Sequence, residues 1–159
     1  LKAIPASSNN PPIETQPIAP VTPIPAVALI PEEGKHEFAD KSVLLVDDDM
    51  RNTFALAKVL RKYKLNVRIA SSGAQSLSAL EEFSDIDLVL MDIMMPEMDG
   101  YEAIKRIRDQ TKFEHLTIIA VTANAMPGDD QLCFKAGAND YISKPVDVEH
   151  LTQLLRKYL

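Results

Sequence analysis

From Lys41 onward the chain alternates between two patterns of apolar and polar positions. Short, nearly unbroken apolar runs occur at Val43–Val46, Val67–Ala70, Leu88–Met91, Ile118–Val121 and Tyr141–Ile142. Runs of this kind suit strands buried on both faces, which implies a parallel sheet covered by helices on each side. Between them, apolar residues recur at helical spacing. Arg51–Tyr63 places Leu56, Val59, Leu60 and Tyr63 on one face, and Ala74–Phe83 repeats Leu77, Leu80 and Phe83 behind a capping Ser72. Glu102–Arg108 offers Ile104 and Ile107, and a shorter helix is expected around Gln131–Ala136. The last, Val148–Tyr158, follows an Asp147 cap and carries Leu151, Leu154 and Leu155. Five strands alternating with five helices predict a doubly wound α/β fold.

Residues 1–40 follow neither pattern. Eight of the eleven prolines lie there, mixed with Ser, Asn, Ala and Thr, so no face repeats and a proline-rich flexible linker is expected, followed by one domain over 41–159. A docking peptide for a proline-recognition domain is the functional alternative, but no clear recognition pattern is present. The chain starts at Leu1 rather than Met, which suggests a piece of a longer protein. A net charge of −6 removes the clustered cations that a nucleic-acid binder needs. Cys133 is the single cysteine, so no intrachain disulfide can form, and a reducing, cytoplasmic setting fits. The apolar runs are far shorter than the roughly 20 residues that cross a bilayer, so no direct membrane contact is expected of this fragment.

In open α/β sheets, ligands bind beyond the carboxyl ends of the strands, where strand order reverses. Here the first strand ends in Asp47, Asp48 and Asp49, the third in Asp92, the fourth in Thr122, and the fifth in Ser143, Lys144 and Pro145. Strands one and three should be neighbours about 4.8 Å apart, which crowds Asp47, Asp48 and Asp92 together. Such crowding calls for a hard divalent cation with oxygen ligands, and Mg2+ is expected. Asp92 is then the candidate carboxylate nucleophile for a phosphoryl group. Lys144 and Thr122 can offer an ammonium and a hydroxyl to the phosphoryl oxygens. Each residue alone has a plainer role: an Asp after a strand as helix cap, Lys144 as solvated surface charge, Thr122 as turn chemistry. Their convergence from four strand ends is what favours a site.

These residues sit in "VLLVDDD" (43–49), "LVLMDIMMPEMDGYEAIKRIR" (88–108), "IIAVTANAM" (118–126) and "AGANDYISKPVD" (136–147). The sequence resembles the receiver domain of two-component signalling over Lys41 to Leu159. That resemblance implies a flavodoxin-like (βα)5 three-layer sandwich with a parallel five-stranded sheet of order 2-1-3-4-5. It further implies that Asp92 is the phospho-acceptor and that Asp47 and Asp48 support Mg2+, with the backbone carbonyl of Met94 completing the protein ligands. Thr122 and Lys144 match the residues that receive the phosphoryl oxygens, and the bond before Pro145 is expected to be cis. Tyr141 matches the aromatic that switches rotamer together with Thr122, core packing being its competing role. Asp49 is taken as the start of the first helix rather than a metal ligand. Met94 and Asn124 stand where receivers adjust phosphate lifetime.

The terminal position of the domain and the segments "VDDDMRNTFAL" and "DYISKPVD" resemble the C-terminal receivers of hybrid sensor histidine kinases. The implied partner is a histidine kinase or histidine phosphotransfer domain docking near Arg51 and Asn52, since His36, His115 and His150 suit solvated positions. Output is expected from the surface around the fourth helix, fifth strand and fifth helix. Three alternatives from other classes stand beside this one. A phosphatase of the haloacid dehalogenase type would use Asp47 and Asp49, although Arg51 stands where that family expects Thr or Val. A docking module would never carry phosphate. Flavin binding is disfavoured by an acidic first loop where a phosphate cradle would need free N–H groups.

Overall fold

The computed structural model describes residues 37–123 and 126–159. Most of the expected linker, together with His36 and Asn124, lies outside the described residues. Five strands, β1 (Ser42–Val46), β2 (Asn66–Ala70), β3 (Leu88–Asp92), β4 (Thr117–Thr122) and β5 (Asp140–Ser143), form one parallel sheet in the order β2-β1-β3-β4-β5. The helices are α1 (Met50–Lys62), α2 (Gly73–Glu82), α3 (Gly100–Arg108), α4 (Asp129–Ala136) and α5 (Val148–Tyr158). The fold is therefore the doubly wound sandwich expected, with an additional 3-10 turn at Thr111–Phe113 that hydrophobic periodicity did not reveal.

Burial explains which strands were easiest to read. Every residue of β1 and β3 is buried, whereas β2 and β5, at the two edges, are exposed or half-exposed except for Ala70 and Ile142. On one side of the sheet, Leu44, Val46, Ala70, Val89, Met91 and Ile118 pack against Leu80 of α2, Ile104 and Ile107 of α3, and Cys133 of α4. On the other, α1 and α5 lie side by side, joined where the Thr152 hydroxyl meets Tyr63 Oη at 3.3 Å.

Four helices begin on a side chain that accepts an otherwise unpaired N–H: Asp49 takes that of Arg51, Ser72 that of Gln75, Asp99 that of Glu102, and Asp147 that of His150. Three of these caps fall at the ends of β1, β2 and β5, so the chemistry that starts a helix also fixes the direction in which each loop leaves the sheet.

Packing starts before Lys41. Phe38 is only 3% exposed and meets the Tyr63 ring edge-on at 6.1 Å, while Glu37 bonds Arg156 on α5 at 2.6 Å. The turn Glu37–Asp40 thus belongs to the packed domain rather than to a linker ending at residue 40. One buried aromatic can contribute about 1.5–3 kcal/mol, enough to hold a four-residue turn whose composition signals nothing.

Candidate functional site

The parallel register brings four strand ends to one edge of the sheet. β1 and β3 are paired through Val46 and Met91, so the residues that follow, Asp47 and Asp92, leave the sheet side by side. Asp92 is in turn aligned with Val121, and Thr122 with Ser143. Oxygens of Asp47, Asp48 and Asp92 all lie within 4.8 Å of one another. The Lys144 ammonium reaches across from β5 and sits 3.0 Å from Asp47 Oδ2 and 3.1 Å from Asp92 Oδ2. Asp47 and Asp92 are buried and Asp48 is exposed, giving the cluster one face toward solvent.

Local hydrogen bonds orient these carboxylates. The Asp49 N–H donates to Asp47 Oδ1 at 2.8 Å, and the Met94 N–H donates to Asp92 Oδ1 at 3.1 Å. Thr53, buried in the first turn of α1, donates its hydroxyl to the Asp49 carbonyl at 3.0 Å, with the Asp47 carbonyl at 3.4 Å. Gly100 closes against the other wall: a Cβ there would lie 2.3 Å from the Asp92 carbonyl oxygen and 2.7 Å from Ile93 Cα. Neither Thr53 nor Gly100 stood out in the sequence. Asp99 and Glu102, three apart ahead of an apolar helix, carried a start signal for the loop that delivers Gly100.

The electrostatics follow from three acids sharing one ammonium. Burial pushes the Asp92 carboxyl above its ordinary range; Lys144 pulls it back through its hydrogen bond and charge, and Asp47 adds to the rise. Burial would lower Lys144, but its hydrogen bonds to Asp47 and Asp92 outweigh that and hold the ammonium above its usual value. The pocket is left short of positive charge. Its donors are hard oxygens, one carboxylate faces solvent, and no sulfur or imidazole takes part, so the residues present fit Mg2+ and suit softer metals poorly.

The remaining sequence candidates fall around this cluster. Thr122 ends β4 and is 4% exposed, its carbonyl accepting the Lys144 N–H at 2.7 Å. The Lys144–Pro145 peptide is cis. Met94 projects to solvent with 64% exposure. Tyr141 is half-buried, packed on the core beneath α4 and edge-on to Phe134 at 6.0 Å. Asp49 caps α1, which takes it out of an Asp-x-Asp nucleophile pair. His115 and His150 are exposed. Beside the acids, a groove of about 220 Å³ runs between α1 and the start of α5, lined by Asn52, Ala55, Leu56, Val59, Pro145 and Val148 among others.

Residues 43–156 match the response regulator receiver domain, which is most of the chain. The chain belongs to that family. As a receiver it is a domain of two-component signalling. It is 39% identical over 118 residues to a "Probable cyclic di-GMP phosphodiesterase" of Vibrio cholerae, covering 74% of this chain and 26% of that protein. It is 41% identical over 122 residues to "Hybrid signal transduction histidine kinase M" of Dictyostelium discoideum, covering 72% of this chain and 5% of the kinase. The receiver thus spans a small part of the curated relatives it matches. Among solved structures, the receiver domain of sensor histidine kinase PA1611 from Pseudomonas aeruginosa, with magnesium coordinated in its active site cleft, superposes with a TM-score of 0.69 at 36% identity, over 76% of this chain and 98% of that one. The Saccharomyces cerevisiae receiver of Ssk1, in complex with the phosphotransfer protein Ypd1, gives 0.71 at 30% identity, over 76% and 90%. No described helix of this receiver is long and apolar enough to cross a membrane.

Proposed function

We propose that this receiver accepts a phosphoryl group on Asp92. The supporting observation is the Lys144 ammonium held at 3.0 and 3.1 Å between two buried carboxylates, with a third within 4.8 Å. In the transfer, an Asp92 carboxylate oxygen attacks phosphorus and forms the acyl-phosphate bond. The bond from phosphorus to the donor's imidazole nitrogen breaks, and that nitrogen keeps the electron pair. Lys144 and the Thr122 hydroxyl stabilise the charge spread over the phosphoryl oxygens, since such a loose transition state asks mainly for positioning and electrostatics. Asp47, Asp48, Asp92 and the Met94 carbonyl would hold Mg2+, which when bound supplies positive charge against the carboxylates and the phosphoryl oxygens.

The phosphoryl group brings roughly 1.5 to 2 negative charges to the end of β3. That charge draws Thr122 toward it, and Tyr141 follows as the aromatic of the switch, biasing a pre-existing equilibrium between inactive and active surfaces around α4, β5 and α5. The donor is a histidine of a kinase or phosphotransfer domain, docking on the exposed Arg51 and Asn52 and the groove beside them. The relatives that are histidine kinases support a hybrid kinase parent, and the single, unpaired Cys133 fits a reducing, cytoplasmic setting. Neither the family match nor the charge balance favours nucleic acid as a direct partner.

Incubation with Mg2+ and acetyl phosphate or phosphoramidate, followed by intact mass measurement, tests the acceptor. Wild type gains the mass of one phosphoryl group and Asp92→Ala does not; equal labelling of both would move the acceptor elsewhere.

A further inference from the structure

The two ends of α4 are held very differently, and a single side chain accounts for most of the contrast. Arg108, the last residue of α3, is half-buried and spreads its guanidinium over four partners, the longest contact being Nη1 to the Glu114 carbonyl at 3.4 Å. Its Nε donates to the Gly137 carbonyl at 2.9 Å, Nη1 to the Phe113 carbonyl at 2.8 Å, and Nη2 to Asn139 Oδ1 at 2.8 Å. The same Asn139 oxygen accepts the Ile118 N–H at 2.8 Å, and the Asn139 N–H donates to the Ile118 carbonyl at 2.7 Å. One rigid fork therefore ties α3, the 3-10 turn, the end of α4 and the entry to β5 to the beginning of β4.

Gly137 makes this arrangement possible. Its φ of +112 places it in the left-handed region that ends a helix, and a Cβ there would lie 2.7 Å from Arg108 Cγ. Backbone bonds from Gly137 to Phe134 and from Ala138 to Cys133 close the helix, and Cys133 and Ala136 are buried beneath it.

The opposite end is held more lightly: the Asp129 N–H donates to the Met126 carbonyl at 3.1 Å, and Asp129 Oδ2 accepts the Met126 N–H at 3.3 Å. Gly128 precedes α4 with φ +100, a Cβ on it would meet nothing within 4 Å, and no side chain caps the first turn. Met126, Pro127 and Gly128 are exposed, and this is the end that follows Thr122 in the chain.

We propose that Arg108 is a positioning residue for the switch: it pins the C-terminal end of α4, so that a change at the Asp92 pocket turns the helix about that end instead of sliding it. This rests on the phospho-acceptor assignment above. A satisfied fork under a buried turn resists displacement, whereas an uncapped first turn behind an unobstructed glycine yields cheaply, so the same pull produces a large movement at Asp129 and little at Gly137. The exposed Leu132 then swings with the free end, while Asn139 and the start of β5 stay in place.

Amide hydrogen exchange of the full chain, read by mass spectrometry with Mg2+ alone and with Mg2+ plus beryllofluoride, tests this on wild type, Arg108→Lys and Arg108→Met. In wild type, beryllofluoride is expected to change exchange over 126–132 by on the order of fivefold or more, and to leave 134–139 unchanged. Arg108→Met should extend the response through 134–139, with Arg108→Lys intermediate, while acetyl phosphate labelling of Asp92 stays at the wild-type rate because Arg108 lies far from the acids. The pin is rejected if wild type responds equally at both ends of α4, whatever the variants do, or if a folded Arg108→Met keeps the wild-type pattern. A wild type that responds nowhere rejects the phospho-acceptor assignment first, and the pin with it.

Discussion

Replacing Asp92 by Asn should make the metal-free domain more stable, although it deletes one partner of a buried ion pair. Asp92 is 2% exposed, with the Lys144 ammonium 3.1 Å away and the Asp47 and Asp48 oxygens within 4.8 Å. At an effective dielectric of about 20, the ammonium attracts the carboxylate by roughly 5 kcal/mol, and an acid at the outer distance repels it by roughly 3 kcal/mol. Asp48 is exposed and screened, so its share is smaller. Repulsion therefore offsets most of the attraction, and the burial of the Asp92 charge is left nearly uncompensated, in line with the upward push on its carboxyl. Asn keeps the shape and an acceptor for the Met94 N–H. A gain of about 1–2 kcal/mol is expected at neutral pH in EDTA, the size commonly found when a functional site is relieved of strain. For a domain of this size it corresponds to roughly 4–8 °C in melting temperature. Thermal melts followed by circular dichroism measure it directly. Millimolar Mg2+ should then raise the wild type and leave Asp92→Asn nearly unmoved, because stabilisation by a ligand scales with its affinity for the folded state. If the variant melts at or below wild type in EDTA, or if Mg2+ lifts both alike, the charge balance argued for the pocket is wrong.

Lys144→Met removes the only cation bonded to Asp47 and Asp92 among the described residues, and should cost about 2–4 kcal/mol in urea unfolding in EDTA, part of it recovered with Mg2+. Gly100→Ala sets a methyl group against the Asp92 carbonyl; a loss of about 3 kcal/mol and slower acetyl phosphate labelling are expected, and an unchanged labelling rate would show that the wall there is soft. Phe38→Ala should cost about 2–3 kcal/mol in the same unfolding assay, which separates a packed turn from a linker residue. Asp140 carries the pH dependence: burial would raise its carboxyl, but bonds from Lys157, the Tyr141 N–H and Tyr158 outweigh that and hold it below 3.8. Its stabilisation is therefore present above that value and lost as pH falls through the lower folded one. Asp140→Asn should be less stable than wild type by up to about 1 kcal/mol at pH 7, Lys157 being largely exposed, and the gap should close in acid; a gap independent of pH would refute the assignment.

How far the chain could be read without coordinates varied with burial. β1 and β3 were plain because both faces are covered, and their unbroken apolar runs have no other use. β2 and β5 were fainter because edge strands show one side to water, so Arg68 and Asp140 interrupt the pattern. The meeting of Asp47, Asp48, Asp92 and Lys144 was legible since each ends or follows a strand, and strand order alone decides which ends are neighbours. Arg108 was not legible: an arginine closing an amphipathic helix looks like a solvated charge, and only the return of Gly137 and Asn139 to its side reveals otherwise. Thr53 and Gly100 were hidden for a related reason, since their partners are backbone atoms that carry no sequence signature.

The turn at Glu37–Asp40 sets where the domain is moored. Phe38 and Glu37 fasten the incoming chain to the end of α1 and to α5, just ahead of β1, whereas the acids gather where β1 finishes. Five strand residues, roughly 17 Å, separate the two. The chain therefore enters the described domain at the pole opposite the carboxylates.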